Sequence, residues 1–331
     1  MAQTLSSLGV GNYVKFGRFK VGNETTMPDI TWMIVDESSS GITLLSEYVL
    51  AQLAFDAKEP NNGTTNRKNY GNNYYKLSNI RQWLNSTADS WYSSHHSYDQ
   101  SPNSADVVSG GTQYAARPGF LRHFTVKERE LLIASSQTTR YGLSSDGSGS
   151  YTTSDKVFLP SALQLNISDA PNEGDIWEAF SDGWHDGNVS DIKEARGCDE
   201  SAQLKANRIA SSATTRYILR SAGGTGGHQI YSVSLSNGVV ESTTLCSDGT
   251  RGIRPAIVLP KDALVEYDTS DHYYKVLVGS VPPTPSYLNV PISIKGGSTV
   301  GITWGASSDT DGDSVSYRLE RSVNGGTYSV L

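Results

Sequence analysis

Alternation of apolar and polar positions along the chain predicts strands first. In "YVKFGRF", Tyr13, Lys15 and Gly17 alternate against Val14, Phe16 and Arg18, the two-residue period of a half-buried strand. "DITWMIVDE" is more uniformly apolar, as expected of a strand covered on both faces. "SSSGITLLSE" adds a glycine turn and a third strand, so the start of the chain reads as a meander. Later strand-like runs are "KVFLPSA", "RYILRSA", "HQIYSVSL", "RGIRPAIVLP" and "HYYKVLVG". Helical spacing is rarer. In "SNIRQWLNS", Ser78 is placed to cap a helix that puts Ile80, Trp83 and Leu84 on one face. In "TVKERELLIAS", Thr125 and Glu128 have capping-box spacing, and Leu131 and Leu132 supply the apolar anchor. "AQLKANRIA" predicts a third, short amphipathic helix.

Between Leu219-Arg220-Ser221 and the next strand lie Gly223, Gly224, Gly226 and Gly227. Glycine loops between strands of a rigid sheet are a common way for a scaffold to vary a recognition surface. Composition agrees. Of 331 residues 37% are hydrophobic and 32 are glycine, a mix that favours many turns over long helices. Tyrosine (18) outnumbers phenylalanine (7), which suits rings that are partly wet. A net charge of −7 and the lack of any basic cluster exclude nucleic acid as an expected partner. The opening "MAQTLSSLGVGNYVKF" lacks the basic and apolar regions of a signal peptide, and no run has the length of a membrane span. Synthesis in a cytoplasm without membrane insertion is therefore expected.

The candidate chemistry is thin. Cys198 and Cys246 allow one bridge or two free thiols. A thiolate nucleophile needs a base or positive field nearby, and only Arg196 stands close to Cys198 in sequence. Asp182 and Asp186, with Asp191 and His185, are a weak candidate for a hard cation such as Ca2+, against a solvated turn. His95 and His96 beside Asp99 could hold zinc only if neighbouring rings converged, which most backbones prevent. Asp309, Asp311, Asp313 and Glu320 follow a calcium-loop spacing, but Ser314 stands where that loop needs glycine. Arg220 and Arg254 could form an anion-binding pair; the structural alternative is that they fix loop carbonyls or carboxylates at the core's edge. What remains is a set of ring-bearing polar loops, "NYGNNYY", "WYSSHHSYD", "DGWHDG" and "GGHQIYS". Such rings stack on sugar faces while Asn, Asp and Ser satisfy hydroxyls. Candidate ligand-binding residues are Trp184, His185, His228, Tyr231, Trp91 and Tyr92, the first four expected to be exposed at one pole.

Four pieces in order carry a resemblance: "VKFGRF" with "ITWMIVD" and "ITLLSE"; "SNIRQWLNS" with "PGFLRHFTVKERELL"; "DKVFLPS"; and "RYILRSA" with "GIRPAIVLP". Over roughly residues 8 to 278 they resemble an uncharacterised domain family of phage and prophage tail proteins of Gram-positive bacteria. Tyr217-Ile218 replace that family's paired tryptophans, and Ala222 its proline. The resemblance implies an α+β, C-type-lectin-like fold: a twisted antiparallel sheet with few short helices and long loops, placed at residues 1–280. Arg220, Arg254 and Trp83 are its structural motif residues. After the proline linker "VPPTP", residues 281–331 resemble the first half of a fibronectin type III module, a β-sandwich, with Trp304 at the buried strand-B position. A full module needs about 90 residues, so truncation is expected.

The implied function is that of a non-enzymatic virion protein of a tailed phage, at the tail tip, a fibre or a surface appendage. It would be a host-cell adhesin, binding surface glycan or protein beside other virion subunits, and homo-oligomeric or multivalent in the particle. The alternatives are an architectural or decorating virion protein, and a glycan-cleaving enzyme.

Overall fold

The computed structural model describes residues 2–19, 27–108, 114–167, 170–181, 216–235, 238–279, 283–291, 299–308, 315–322, 326–327 and 329–330. The chain divides into two compact units, Met1–Leu277 and Val278–Leu331. In the first, the early strands are β1 (Gln3–Thr4), β2 (Tyr13–Arg18), β3 (Asp29–Ser38), β4 (Gly41–Ser46) and β5 (Ala51–Gln52). The middle of the chain gives β6 (Ser135–Arg140), β7 (Ser150–Asp155) and β8 (Val157–Phe158). Then come β9 (Arg216–Gly223), β10 (Gln229–Ser234), β11 (Val240–Leu245) and β12 (Gly252–Ile253). The last are β13 (Ala256–Leu259), β14 (Leu264–Asp268) and β15 (Tyr273–Val276). Three α-helices are described: α1 (Thr65–Tyr70), α2 (Asn79–Leu84) and α3 (Val126–Leu131).

An eight-stranded sheet runs in the order β1-β14-β15-β2-β3-β4-β13-β8, antiparallel except where β15 meets β2. A five-stranded sheet runs β11-β10-β9-β12-β5, with β9 and β12 parallel. β6 and β7 form a separate hairpin. The two larger sheets share two strand continuations. β4 leads into β5, and β12 leads into β13 through Arg254-Pro255. That crossing is fixed by Arg254, whose Nε donates to the Ser46 carbonyl at 2.7 Å, and by Ser46 N donating to Pro255 O at 2.9 Å.

The apolar run of β3 is buried from Ile30 to Val35, and β4 is buried throughout. Both capped helices form. The Ser78 hydroxyl accepts from Arg81 N, and Thr125 and Glu128 complete a capping box. Each α-helix nevertheless lasts only six residues. Among the described residues no helix is long and apolar enough to cross a membrane.

The expected α+β, C-type-lectin-like class does not hold. Strand outweighs helix, 33% to 12%, over several separate sheets, so the first unit is mostly β. The physical reason is that good caps start these helices but nothing sustains them. α2 ends at Asn85, whose side chain turns to the β8 backbone instead, and α3 buries none of its own residues. Among the described residues the expected β-sandwich is not seen. The second unit shows two short ribbons, β16 (Leu288–Asn289) with β17 (Thr303–Trp304) and β18 (Glu320–Arg321) with β19 (Ser329–Val330). Trp304 is 37% exposed, packed on Tyr317, because among the described residues no second layer covers it.

Candidate functional site

Arg220 is fully buried on β9 and is a hub for loop carbonyls. Its Nη1 donates to Leu159 O (2.7 Å) and Gln164 Oε1 (2.8 Å), and Nη2 to Thr138 O and Glu173 O (3.2 Å each). Glu173, also buried, accepts from the Ser221 hydroxyl and from Arg140 N. Burial lowers the Arg220 pKa, and burial raises that of Glu173. Arg254 lies buried under the Tyr217 ring, 5.4 Å from its centroid. Trp83 is buried and donates to Pro118 O. These three side chains hold the scaffold together, and no anion-binding pair is formed by the arginines.

The ring candidates divide. His228, packed beside the Tyr70 ring, and Tyr231, on β10 covered on both faces from Ile230 to Val233, are buried, not exposed at a pole. Trp91 is buried too: its indole donates to Tyr114 O at 3.0 Å and its ring stacks on Tyr114 at 5.3 Å and 10°. Tyr92 is half-buried, its hydroxyl pushed up to about 12 by burial and by the nearby Asp99 and Asp56 carboxylates. Trp184, His185, Asp182, Asp186 and Cys198 lie outside the described residues, as does the predicted helix at 202–210.

Beneath the Tyr92 loop is a buried polar node of which sequence reading singled out only His95, His96 and Asp99. Asp56 accepts from Asn72 N and Asn79 N, each at 3.0 Å. Asp99 accepts from Asn79 Nδ2 and His95 N. Glu59 accepts from Asn72 Nδ2 and Asn62 Nδ2 and faces His96 Nε2 at 3.2 Å. Burial raises the Asp56 pKa well above the usual carboxylate range, and the Glu59 and Asp99 charges add to it. The two histidines diverge, His95 to Gln82 and His96 to Glu59. Among the described residues no group of three metal-ligating side chains gathers.

Next to this node, three segments distant in sequence meet. α1 brings Asn66, Arg67 and Tyr70; the glycine loop brings Gly226 to His228; the 141–149 segment brings Tyr141 and Asp146. Arg67 donates through Nε to Gly227 O at 3.1 Å and pairs with both carboxylate oxygens of Asp146. Burial opposes the guanidinium charge, but the bonded Asp146 prevails and the Arg67 pKa rises. Asn73 donates to Gly227 O and Gln229 O. The Tyr74 ring lies 5.4 Å from Tyr141 and 4.7 Å from Tyr151, and Tyr70 lies 5.4 Å from His228. Burial and a hydrogen bond to Tyr141 raise the Tyr74 hydroxyl to about 12.

Tyr70, Tyr74 and Tyr141 are half-buried, so each ring is fixed yet still reaches solvent. Asn73 Oδ1 and His228 Nδ1 are buried without a hydrogen-bond partner among the described residues, and such atoms are uncommon in folded proteins. Two features were legible in sequence: the "NYGNNYY" ring cluster and the glycine loop. Arg67, Asp146 and Tyr141 were not, since the 141–153 stretch reads as polar turn. Cys246 is a free, buried thiol, and burial pushes its pKa well above the usual thiol value.

A family model described as Domain of unknown function (DUF6273) matches residues 39–261, more than half of the chain. No curated protein and no solved structure matches.

Proposed function

The chain belongs to the DUF6273 family, and we propose that its first unit is a non-catalytic recognition module that binds a glycan at the Tyr70–Tyr74–Tyr141 face. One observation carries the reading. Three half-wet rings, a glycine-rich turn and two buried polar atoms without partners lie on three segments, α1 with the stretch after it, the glycine loop and residues 141–149, joined through Arg67. Rings held this way offer sugar-stacking area at low entropic cost, and the amides of Asn66 and Asn69 stand on the same short helix to meet hydroxyls. All of these residues lie inside the matched region 39–261.

The chemistry present favours binding over turnover. The described thiol is deeply buried with its protonated form favoured, and Asp56 and Asp99 are occupied by backbone and amide donors. The order of the four sequence motifs, similar to that in phage tail proteins, supports a virion setting and a host-surface glycan. Repeated copies on a particle would raise weak single-site affinity by avidity.

The test is co-sedimentation of the purified chain with Gram-positive cell walls, wild type against Tyr70→Ala and Tyr141→Ala. Retention of the wild type and loss of both variants, each still folded, is the expected result. Wild type left in the supernatant, or variants that sediment equally, would overturn the glycan reading. Release of reducing ends during the incubation would replace it with the enzyme.

A further inference from the structure

The loop entering α1 contains Asn62-Gly63-Thr64, and its contacts have a chemical consequence separate from glycan recognition. Thr64 N donates to Asn62 Oδ1 at 2.8 Å. This side-chain turn holds the Asn62 amide alongside the Gly63 peptide that it spans. Gly63 is exposed, and the space where a side chain would stand has no neighbour within 4 Å, so little hinders its nitrogen from closing on Asn62 Cγ. Asn62 Nδ2 donates to Oε2 of buried Glu59, whose Oε1 faces the His96 ring at 3.2 Å.

We propose that Asn62 is an autocatalytic deamidation site, assisted by Glu59 as proton carrier and by Thr64 N–H as oxyanion donor. Gly63 N attacks Asn62 Cγ, and the N–Cγ bond forms as negative charge develops on Oδ1, where the Thr64 N–H already points. The proton lost by Gly63 N reaches the departing Nδ2 by way of Glu59. The Cγ–Nδ2 bond breaks, and ammonia leaves. Water then opens the five-membered imide at either carbonyl, giving aspartate or isoaspartate, with no change of oxidation state. Burial raises the Glu59 pKa, which favours its acid form relative to that of a free carboxyl. The product carboxylate lies against Glu59, so like charges loosen the loop ahead of α1, the helix that carries Arg67 and Tyr70.

The experiment incubates the purified full chain at mildly alkaline pH and follows the Asn62–Gly63 peptide by mass spectrometry and isoaspartate detection. Wild type is compared folded and in urea, and with folded Glu59→Gln, which keeps an acceptor for Asn62 but cannot carry the proton. Conversion is expected to be faster in the fold than in urea, and to slow on the order of tenfold in Glu59→Gln. Faster conversion in urea, or equal rates for wild type and Glu59→Gln, overturns the proposal. If Glu59→Gln does not stay folded, the comparison of fold with urea decides alone.

Discussion

Arg67 Nε donates to the carbonyl of Gly227 at 3.1 Å, joining two residues 160 positions apart in sequence. This bond ties α1 to the glycine loop, and Asp146 on the other side of the guanidinium ties in a third segment. Gly227 has φ +73°, and a Cβ there would lie 2.8 Å from Arg67 Nη2.

Gly227→Ala therefore meets both backbone strain and a displaced guanidinium. The expected cost is about 1–3 kcal/mol from the left-handed backbone alone. In a urea-melt cycle with Arg67→Ala the two changes should be non-additive, because each removes the same bond. Additive effects would show that the loop and helix are not coupled through it.

What was legible in the sequence is local. Ser78 and the Thr125–Glu128 pair mark helix starts because a cap is settled within three residues, and β3 reads as buried because its apolar run is continuous. The burial of Tyr231 was not legible: "HQIYSVSL" reads as an alternating strand, but that it stands between β9 and β11 and is covered on both faces is settled only by the fold. The same holds for Asp146, which reads as turn until Arg67 is placed beside it. Trp304 failed in the opposite sense, since a pattern typical of a buried tryptophan met no second sheet among the described residues.

Arg220 should matter for stability and not for recognition. Arg220→Met strands the carbonyls of Leu159, Thr138 and Glu173 and takes a positive charge from the neighbourhood of the buried Glu173 carboxylate. A loss of about 3–5 kcal/mol is expected, since each buried acceptor left without its donor costs about 1–3 kcal/mol. Arg220→Lys should recover little, since an ammonium cannot span the same fork of acceptors. Chemical denaturation of the three proteins checks both statements.

The buried carboxyls give stability a definite pH slope. Asp56 has an ordinary value of 3.8 and is raised well above it, chiefly by burial. A raised carboxyl contributes fully below its unfolded value, and that contribution is lost as pH rises through the folded one. Asp271 and Asp268 act oppositely: hydrogen bonds from Lys15 and Lys275 lower their pKa, so their contribution is lost as pH falls below the ordinary 3.8. Glu59 and Glu173 are raised by burial as well, so their slopes add to that of Asp56. Asp56→Asn should lower the urea midpoint at acid pH, by weakening the bonds to Asn72 N and Asn79 N, yet flatten its decline toward alkaline pH. A slope as steep as wild type would assign the pH dependence to other groups.

Cys246 should be inert in the fold. Its thiol is fully buried, and burial together with the Asp56 charge disfavours the thiolate, which is the reactive form. Alkylation by iodoacetamide, read peptide by peptide, is expected at Cys246 only once denaturant unfolds the chain. Labelling under native conditions would reveal an opening of the β11–β12 connection that exposes it.

Trp91 and Tyr141 separate stability from recognition, although both are rings in loops. Trp91 is buried, stacked on Tyr114 and hydrogen-bonded to its carbonyl, so Trp91→Ala should cost about 3–5 kcal/mol. Any loss of binding it causes should track the unfolded fraction and recover on cooling. Tyr141 is half-buried beside Tyr74 and Tyr151. Its truncation removes contact area already shared with solvent, so the expected cost is about 1 kcal/mol, near the average for a point substitution. Cell-wall retention should nevertheless be lost at temperatures where Tyr141→Ala is fully folded. Thermal melting and co-sedimentation on the same samples give the comparison. If the two variants lose binding in proportion to their melting temperatures, the ring face does no recognition beyond holding the loops in place.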